Sequence, residues 1–326
     1  MSNHDHLPRE TGHTYRTIKV TPLSPALAAD IEAGDLRAIT DQQFAEIKRA
    51  WLTHHVIRCR SQRFANADIV AFGRRFGDFQ PNNPGTLPAA RPDEQQPKAA
   101  KTPRYPDPDY PQVSYISNVI ESKTPLGILG DGEVVWHTDQ SSFEITPSAT
   151  ILYAIEAPAG QGRTEFLNIQ LAFETLPEPL RRRAEGLRLK HDDTYDSAGN
   201  RRSGYAPVVD VRKAPGAIHP LVCTHPETGK NALYLGRRPN AYIIGLSVEE
   251  SEALLDELWA HATQERFTWR QDWLPGDLLV WDNRSVLHHR KPFDPQARRT
   301  MRRVVIKGSK PEFIPASAKA ISEFKV

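Results

Sequence analysis

The chain has 326 residues, of which 25% are charged, and its 42 Lys and Arg against 40 Asp and Glu leave a net charge of +2. A balance this close, with no long block of one sign, excludes a polyanion-binding arm and favours small-molecule chemistry; Arg181-Arg182-Arg183 and Arg237-Arg238 read as solvated surface. Cys59 and Cys223 are too few for a disulfide framework or a thiolate metal site, no apolar segment follows Met1, and no run of eighteen apolar residues occurs, so a soluble, cytoplasmic protein with neither membrane nor nucleic acid as partner is expected.

Residues 1–15 are polar and read as a loose tail. Thr40 and Gln43 then form a capping-box pattern ahead of Phe44, Ile47 and Trp51, which share one helical face. Residues 55–59 read as a short strand. A second helix is expected with Asn66 as its cap, Ile69, Phe72 and Phe76 facing inward, and Gly77 at its end. Residues 82–112 shift to Pro, Ala and charged side chains without periodicity, a composition that marks either a functional loop or disorder.

Residues 113–118 alternate as a strand, a turn is expected at Gly130-Asp131-Gly132, and residues 150–155 are an apolar run of strand length. Asn168 suits a helix cap, and residues 180–187 read as another helix. Residues 219–224 and 231–235 flank Pro226-Glu227-Thr228-Gly229 as a hairpin, and Ser247 with Glu250 caps a helix carrying Leu254, Leu255 and Leu258. Residues 267–273 alternate, Pro275-Gly276-Asp277 turns the chain, and residues 278–281 form a buried strand. Short strands with interrupting helices and no regular βαβ alternation predict a mainly β fold with helical insertions, a jelly roll or double-stranded β-helix, in one domain over residues 16–326.

The candidate chemistry gathers around Trp136-His137-Thr138-Asp139. A His and an Asp two apart in an extended segment point to the same face. With His288 they make two imidazoles and one carboxylate, a set that leaves the opposite side of a metal open, as in non-haem Fe(II) oxygenases. His-x-Asp by itself is a commonplace tripeptide; its weight comes from Arg299, eleven residues beyond His288, and from Thr164 after Gly160-Gln161-Gly162-Arg163. A guanidinium offers a planar pair of donors and a hydroxyl adds another, which suits a dicarboxylate. A zinc hydrolase could use the same two His and one Asp but has no use for Thr164 with Arg299, and a non-catalytic jelly-roll binding protein would need no open-faced set at all.

In this order the motifs resemble those of the taurine / 2,4-dichlorophenoxyacetate dioxygenase (TauD/TfdA) family over residues 40–307: Trp136-His137-Thr138-Asp139, Gly162-Arg163-Thr164, Pro275-Gly276-Asp277, Trp281-Asp282-Asn283-Arg284, His288, and Arg298-Arg299-Thr300-Met301-Arg302-Arg303. The resemblance implies a jelly roll that uses Fe(II), 2-oxoglutarate and O2, with His137, Asp139 and His288 as iron ligands and Thr164 and Arg299 on the distal carboxylate of 2-oxoglutarate. It implies that Arg303, four residues past Arg299, meets the anionic group of a small carboxylate, sulfonate or phosphonate substrate, which is hydroxylated, desaturated or cleaved at a C–X bond. Asp139 is intact where halogenating relatives carry a small residue. Asn82 falls where members acting on taurine have a substrate-binding histidine, which counts against taurine itself. Residues 82–112 correspond to a lid near the iron, His219 and His225 are either structural or site-lining, with a structural role favoured, and a homo-oligomer, dimer or tetramer, is expected.

Overall fold

Two sheets face each other across a shared core in the computed structural model, which describes residues 14–81, 107 and 109–315. The larger has eight strands, in spatial order Lys19–Pro22, Ala29–Glu32, Val56–Cys59, Leu278–Asp282, Pro147–Glu156, Thr300–Lys307, Ser114–Ser117 and Ile128–Leu129. The smaller has four, in the order Thr268–Gln271, Thr164–Asn168, Val286–Arg290 and Val134–His137. Neighbours come from distant parts of the chain: Leu278 lies opposite both Cys59 and Tyr153, and Arg303 lies between Ser114 and Leu152. This is the jelly roll expected from the alternation of short strands.

Side-chain alternation explains why the strands read as nearly unbroken apolar runs. Ile116, Leu152, Phe166, Leu279, Trp281, Val286 and Met301 fill the space between the sheets. Their neighbours Ile57, Ile151, Val280, Val304 and Ile306 point outward under the helices Asp41–His54 and Asn66–Arg74. On the far side, Leu167 and Leu287 pack with Leu254, Leu255 and Leu258 of the helix Val248–Ala262. Both sheets are therefore covered on both faces, so polar positions within the strands need a specific reason.

The long helices begin as expected. Gln43 N donates to Thr40 Oγ1 (3.2 Å) while Thr40 N donates to Gln43 Oε1 (3.0 Å), and Ser247 and Glu250 repeat the exchange at 3.1 and 2.8 Å. The second helix differs. Its cap position is Ala65, whose N–H donates to Asp68 (2.7 Å), and Asn66 is the first helical residue. The Asn66 side chain is drawn away by tertiary partners, donating to Asp107 at 2.8 Å and accepting from Tyr115 at 3.2 Å. The helix expected over 180–187 runs instead from Glu178 to Ala184, because Glu185 is extended and Gly186, with φ +81°, turns the chain. The strand expected over 267–273 is shorter, Thr268–Gln271, since Phe267 closes a single helical turn begun at Glu265. The hairpin pairs Val222–Thr224 with Asn231–Leu233 as expected.

Gly276, at φ +85°, shapes the turn in which Asp277 N donates to Leu274 O (3.0 Å) and brings the next strand into the core. Cys59 and Cys223 are buried free thiols. Among the described residues no helix is long and apolar enough to cross a membrane. Asn82 and nearly all of the stretch 82–112 lie outside the described residues, as does most of the tail 1–15.

Candidate active site

His288 sits in the strand Val286–Arg290 directly opposite His137, the last residue of Val134–His137. The pairing slips between them and the next pair, Arg290 with Val134, so that three steps on one strand oppose two on the other. Such a bulge re-aims side chains, and here it lets both His137 and Val134 face the space between the sheets. Asp139 lies two residues beyond the end of the strand. Its Oδ1 is 3.8 Å from His137 Nε2 and 3.9 Å from His288 Nε2, and one ligand atom from each of the three residues falls within 4.8 Å of the others.

Burial pushes both imidazoles below their ordinary range, His288 well below it, so each stays neutral and keeps a lone pair. His137 Nδ1 lies 2.7 Å from the Val135 carbonyl, an arrangement in which Nδ1–H donates and Nε2 is left free to ligate. Burial works against the charged Asp139 carboxylate, but its surroundings, with the Arg303 guanidinium and a hydroxyl from Thr150 among them, hold it below the usual carboxylate range. Two neutral imidazoles and an ionised carboxylate are the protonation states that a divalent metal requires, so the donor set fits one.

Behind the carboxylate runs a chain that the sequence did not announce. Thr150 Oγ1 donates to Asp139 Oδ2 (2.6 Å) and accepts from Asn283 Nδ2 (2.9 Å), while Asn283 Oδ1 accepts from Trp281 Nε1 (3.0 Å). The Asn283 carbonyl also accepts from Thr138 Oγ1 at 2.7 Å. Asp139 is thereby fixed through one oxygen and keeps the other for a ligand. Trp281-Asp282-Asn283-Arg284 is recognisable as a motif, but its role depends on Thr150, which looks like any other residue of an apolar strand. Asp282 faces the opposite way and binds Arg284 (2.7 Å) and His225 (2.9 Å). His219 Nε2 approaches the Phe143 carbonyl at 2.9 Å. Neither His219 nor His225 lines the site.

Thr164, Arg299 and Arg303 share one cavity with His137, Asp139 and His288, walled by Ile116, Leu129, Val134, Leu152 and Trp281. Arg303 Nη1 lies 3.6 Å from Asp139 Oδ1 and its Nε donates to Ser114 Oγ at 3.2 Å. Arg299 is only 2% exposed, and its Nε has no hydrogen-bond partner. Burial, reinforced by the nearby Arg290, lowers its pKa to about 9. Gly162, at φ +59°, passes so close that a Cβ there would meet the Arg299 stem at 2.9 Å, which is why a glycine stands two residues before Thr164. Arg290 is the residue that sequence reading missed, though its signal was present: it stands two positions after His288 on one strand and so shares its face. A cavity with three oxygen- and nitrogen-donor ligands at one end and unpaired buried guanidinium at the other can hold a metal and an anion together.

Comparison with known proteins agrees with this arrangement. The family model described as "Taurine catabolism dioxygenase TauD, TfdA family" matches residues 19–305. The chain is 32% identical to the alpha-ketoglutarate-dependent 2,4-dichlorophenoxyacetate dioxygenase of Cupriavidus pinatubonensis, over 88% of this chain and 96% of that one. It is 34% identical to an alpha-ketoglutarate-dependent sulfate ester dioxygenase of Pseudomonas putida, over 57% and 63% of the two chains. A crystal structure of a taurine dioxygenase from Burkholderia xenovorans superposes with a TM-score of 0.69 at 30% identity, covering 91% of this chain and 93% of that one. The fold and these likenesses define a jelly-roll dioxygenase. The chain belongs to the TauD/TfdA family and is a 2-oxoglutarate-dependent dioxygenase.

Proposed function

We propose that the protein uses Fe(II) and O2 with 2-oxoglutarate to oxidise a small anion that has an apolar body. The observation that carries this reading is the single cavity in which His137, Asp139 and His288 converge and buried Arg299 lacks any acidic partner among the described residues. Fe(II) held by those three side chains supplies the oxygen chemistry that turns 2-oxoglutarate into succinate and carbon dioxide and oxidises a C–H bond of the substrate. Arg299 and Thr164 hold the distal carboxylate of the co-substrate, which would otherwise be buried unpaired at a cost of several kcal/mol. Trp281, Leu152 and Ile116 exclude water from the reacting centre.

Arg303 is assigned the substrate's anionic group. Its guanidinium borders the metal end, next to Asp139, and when that carboxylate is committed to a metal the arginine is left to attract a second anion. Apolar walls beside it favour an aryloxyalkanoate carboxylate or a sulfonate or sulfate ester, classes to which the named relatives point. Hydroxylation, with any C–X cleavage following from it, is the expected outcome, since the carboxylate ligand is intact.

A panel of aryloxyalkanoates, alkylsulfonates, sulfate esters and phosphonates, scored for stimulation of succinate release, tests the assignment. At least one apolar-bodied anion should stimulate, and Arg303→Ala should raise the concentration of that anion required by about thirtyfold or more, leaving the 2-oxoglutarate requirement within a factor of two. An Arg303→Ala enzyme that needed more 2-oxoglutarate but no more of the anion would refute the division of labour.

A further inference from the structure

We infer that Arg290 is a third donor to the distal carboxylate of bound 2-oxoglutarate, joining Thr164 and Arg299, an inference that rests on the co-substrate reading above. Arg290 is the direct cross-strand partner of Thr164 and lines the same cavity. It is only 4% exposed. Its Nη2 donates to the carbonyls of Leu129 (2.8 Å) and Gly132 (2.6 Å), but Nε and Nη1 are buried without a partner. Arg299 Nε is in the same condition. Among the described residues no ion pair joins either arginine to a carboxylate.

The two guanidiniums line one cavity, reach one aromatic ring, and are near enough that Arg290 acts on the charge of Arg299. Their Cζ atoms lie 5.2 Å (Arg290) and 6.0 Å (Arg299) from the centroid of one ring, Phe293. Like charges held this near in a buried space repel, and buried N–H groups are ordinarily satisfied; both conditions are relieved by one anion between them. Thr164 Oγ1 accepts from Trp273 Nε1 at 2.9 Å, which leaves its own hydrogen to donate to that anion. A carboxylate has about four acceptor sites and can take a guanidinium fork, a hydroxyl and a further N–H. Arg303 is at the other end, beside Asp139, so Arg290 belongs with the co-substrate and not with the primary substrate.

Arg290 does a second thing through Nη2. By holding Leu129 and Gly132 it fixes the turn before the strand Val134–His137, and Leu129 and Val134 are cavity walls. The residue therefore fastens the co-substrate's far end to the segment that leads into the metal ligands.

The test is calorimetric binding to the manganese(II)-loaded protein of two ligands, 2-oxoglutarate and 2-oxopentanoate, the second having the same carbon chain but no distal carboxylate. Arg290→Gln should weaken 2-oxoglutarate about ten- to a hundredfold, the range of one hydrogen bond to a charged group, and leave 2-oxopentanoate within about twofold. Arg290→Lys keeps the charge and the stem, safeguards the fold, and should show the same selective loss at smaller size. Equal weakening of both ligands would reduce Arg290 to a brace for the Leu129 turn, and unchanged 2-oxoglutarate affinity would remove it from the subsite. Failure of the unmutated protein to prefer 2-oxoglutarate over 2-oxopentanoate would instead overturn the co-substrate reading itself.

Discussion

The two ends of the cavity are built on opposite terms. At the metal end the ligands are backed by partners: Thr150 holds the outer oxygen of Asp139, the Val135 carbonyl holds His137, and only His288 Nδ1 lacks a hydrogen-bond partner. At the other end Arg290 and Arg299 are buried with donors unspent, and among the described residues no carboxylate forms an ion pair with either. A finished set of acceptors asks for a cation, and an unfinished set of donors asks for an anion. The difference teaches that the fold alone settles the geometry at the metal end, whereas the guanidinium end is completed only by what binds there.

If that contrast is right, each end should fail in its own way. Removing the carboxylate is the largest change: Asp139→Ala should abolish metal retention and activity while the fold, measured by circular dichroism, survives. Retention of stoichiometric metal by this variant would move the site elsewhere. Arg299→Ala should come next, weakening 2-oxoglutarate by about thirtyfold to several thousandfold, since a truncated partner leaves the remaining buried charge incompletely matched. Metal affinity without co-substrate should not change, and a parallel loss of metal would erase the distinction between the ends. Thr150→Val should be the mildest, costing about ten- to a hundredfold in metal affinity because an outer partner of a ligand is lost. At saturating metal its requirement for 2-oxoglutarate should match that of the unmutated protein.

How much of this is visible in the sequence follows from the range of the interactions. Capping boxes at Thr40 and Ser247 and the turn at Gly276 are local, and they appear where the sequence put them. Asn66 misled because its partners, Asp107 and Tyr115, are remote in sequence, so a good capping residue was used for something else. His137 and Asp139 are two apart and announce themselves, and Arg299 and Arg303 are legible because they fall in a recognisable run. Thr150 is not, since its importance comes from lying opposite Trp281 in the larger sheet and beneath Asp139. Arg290 lies between these cases: strand periodicity already set it on the face of His288, but only the pairing with Thr164 brings it to the guanidinium end of the cavity.

The most direct measurement of the central claim is conversion of 2-oxoglutarate to succinate by the purified protein loaded with Fe(II) or, separately, with Zn(II), in the presence of air and an anion panel. Succinate with Fe(II), stimulated by at least one anion, and none with Zn(II) is the predicted result. Hydrolysis of an ester or amide by the Zn(II) form, with no succinate from the Fe(II) form, would contradict it, because a hydrolase would use the same His137, Asp139 and His288 for a metal-bound water and would leave Arg299 without a ligand.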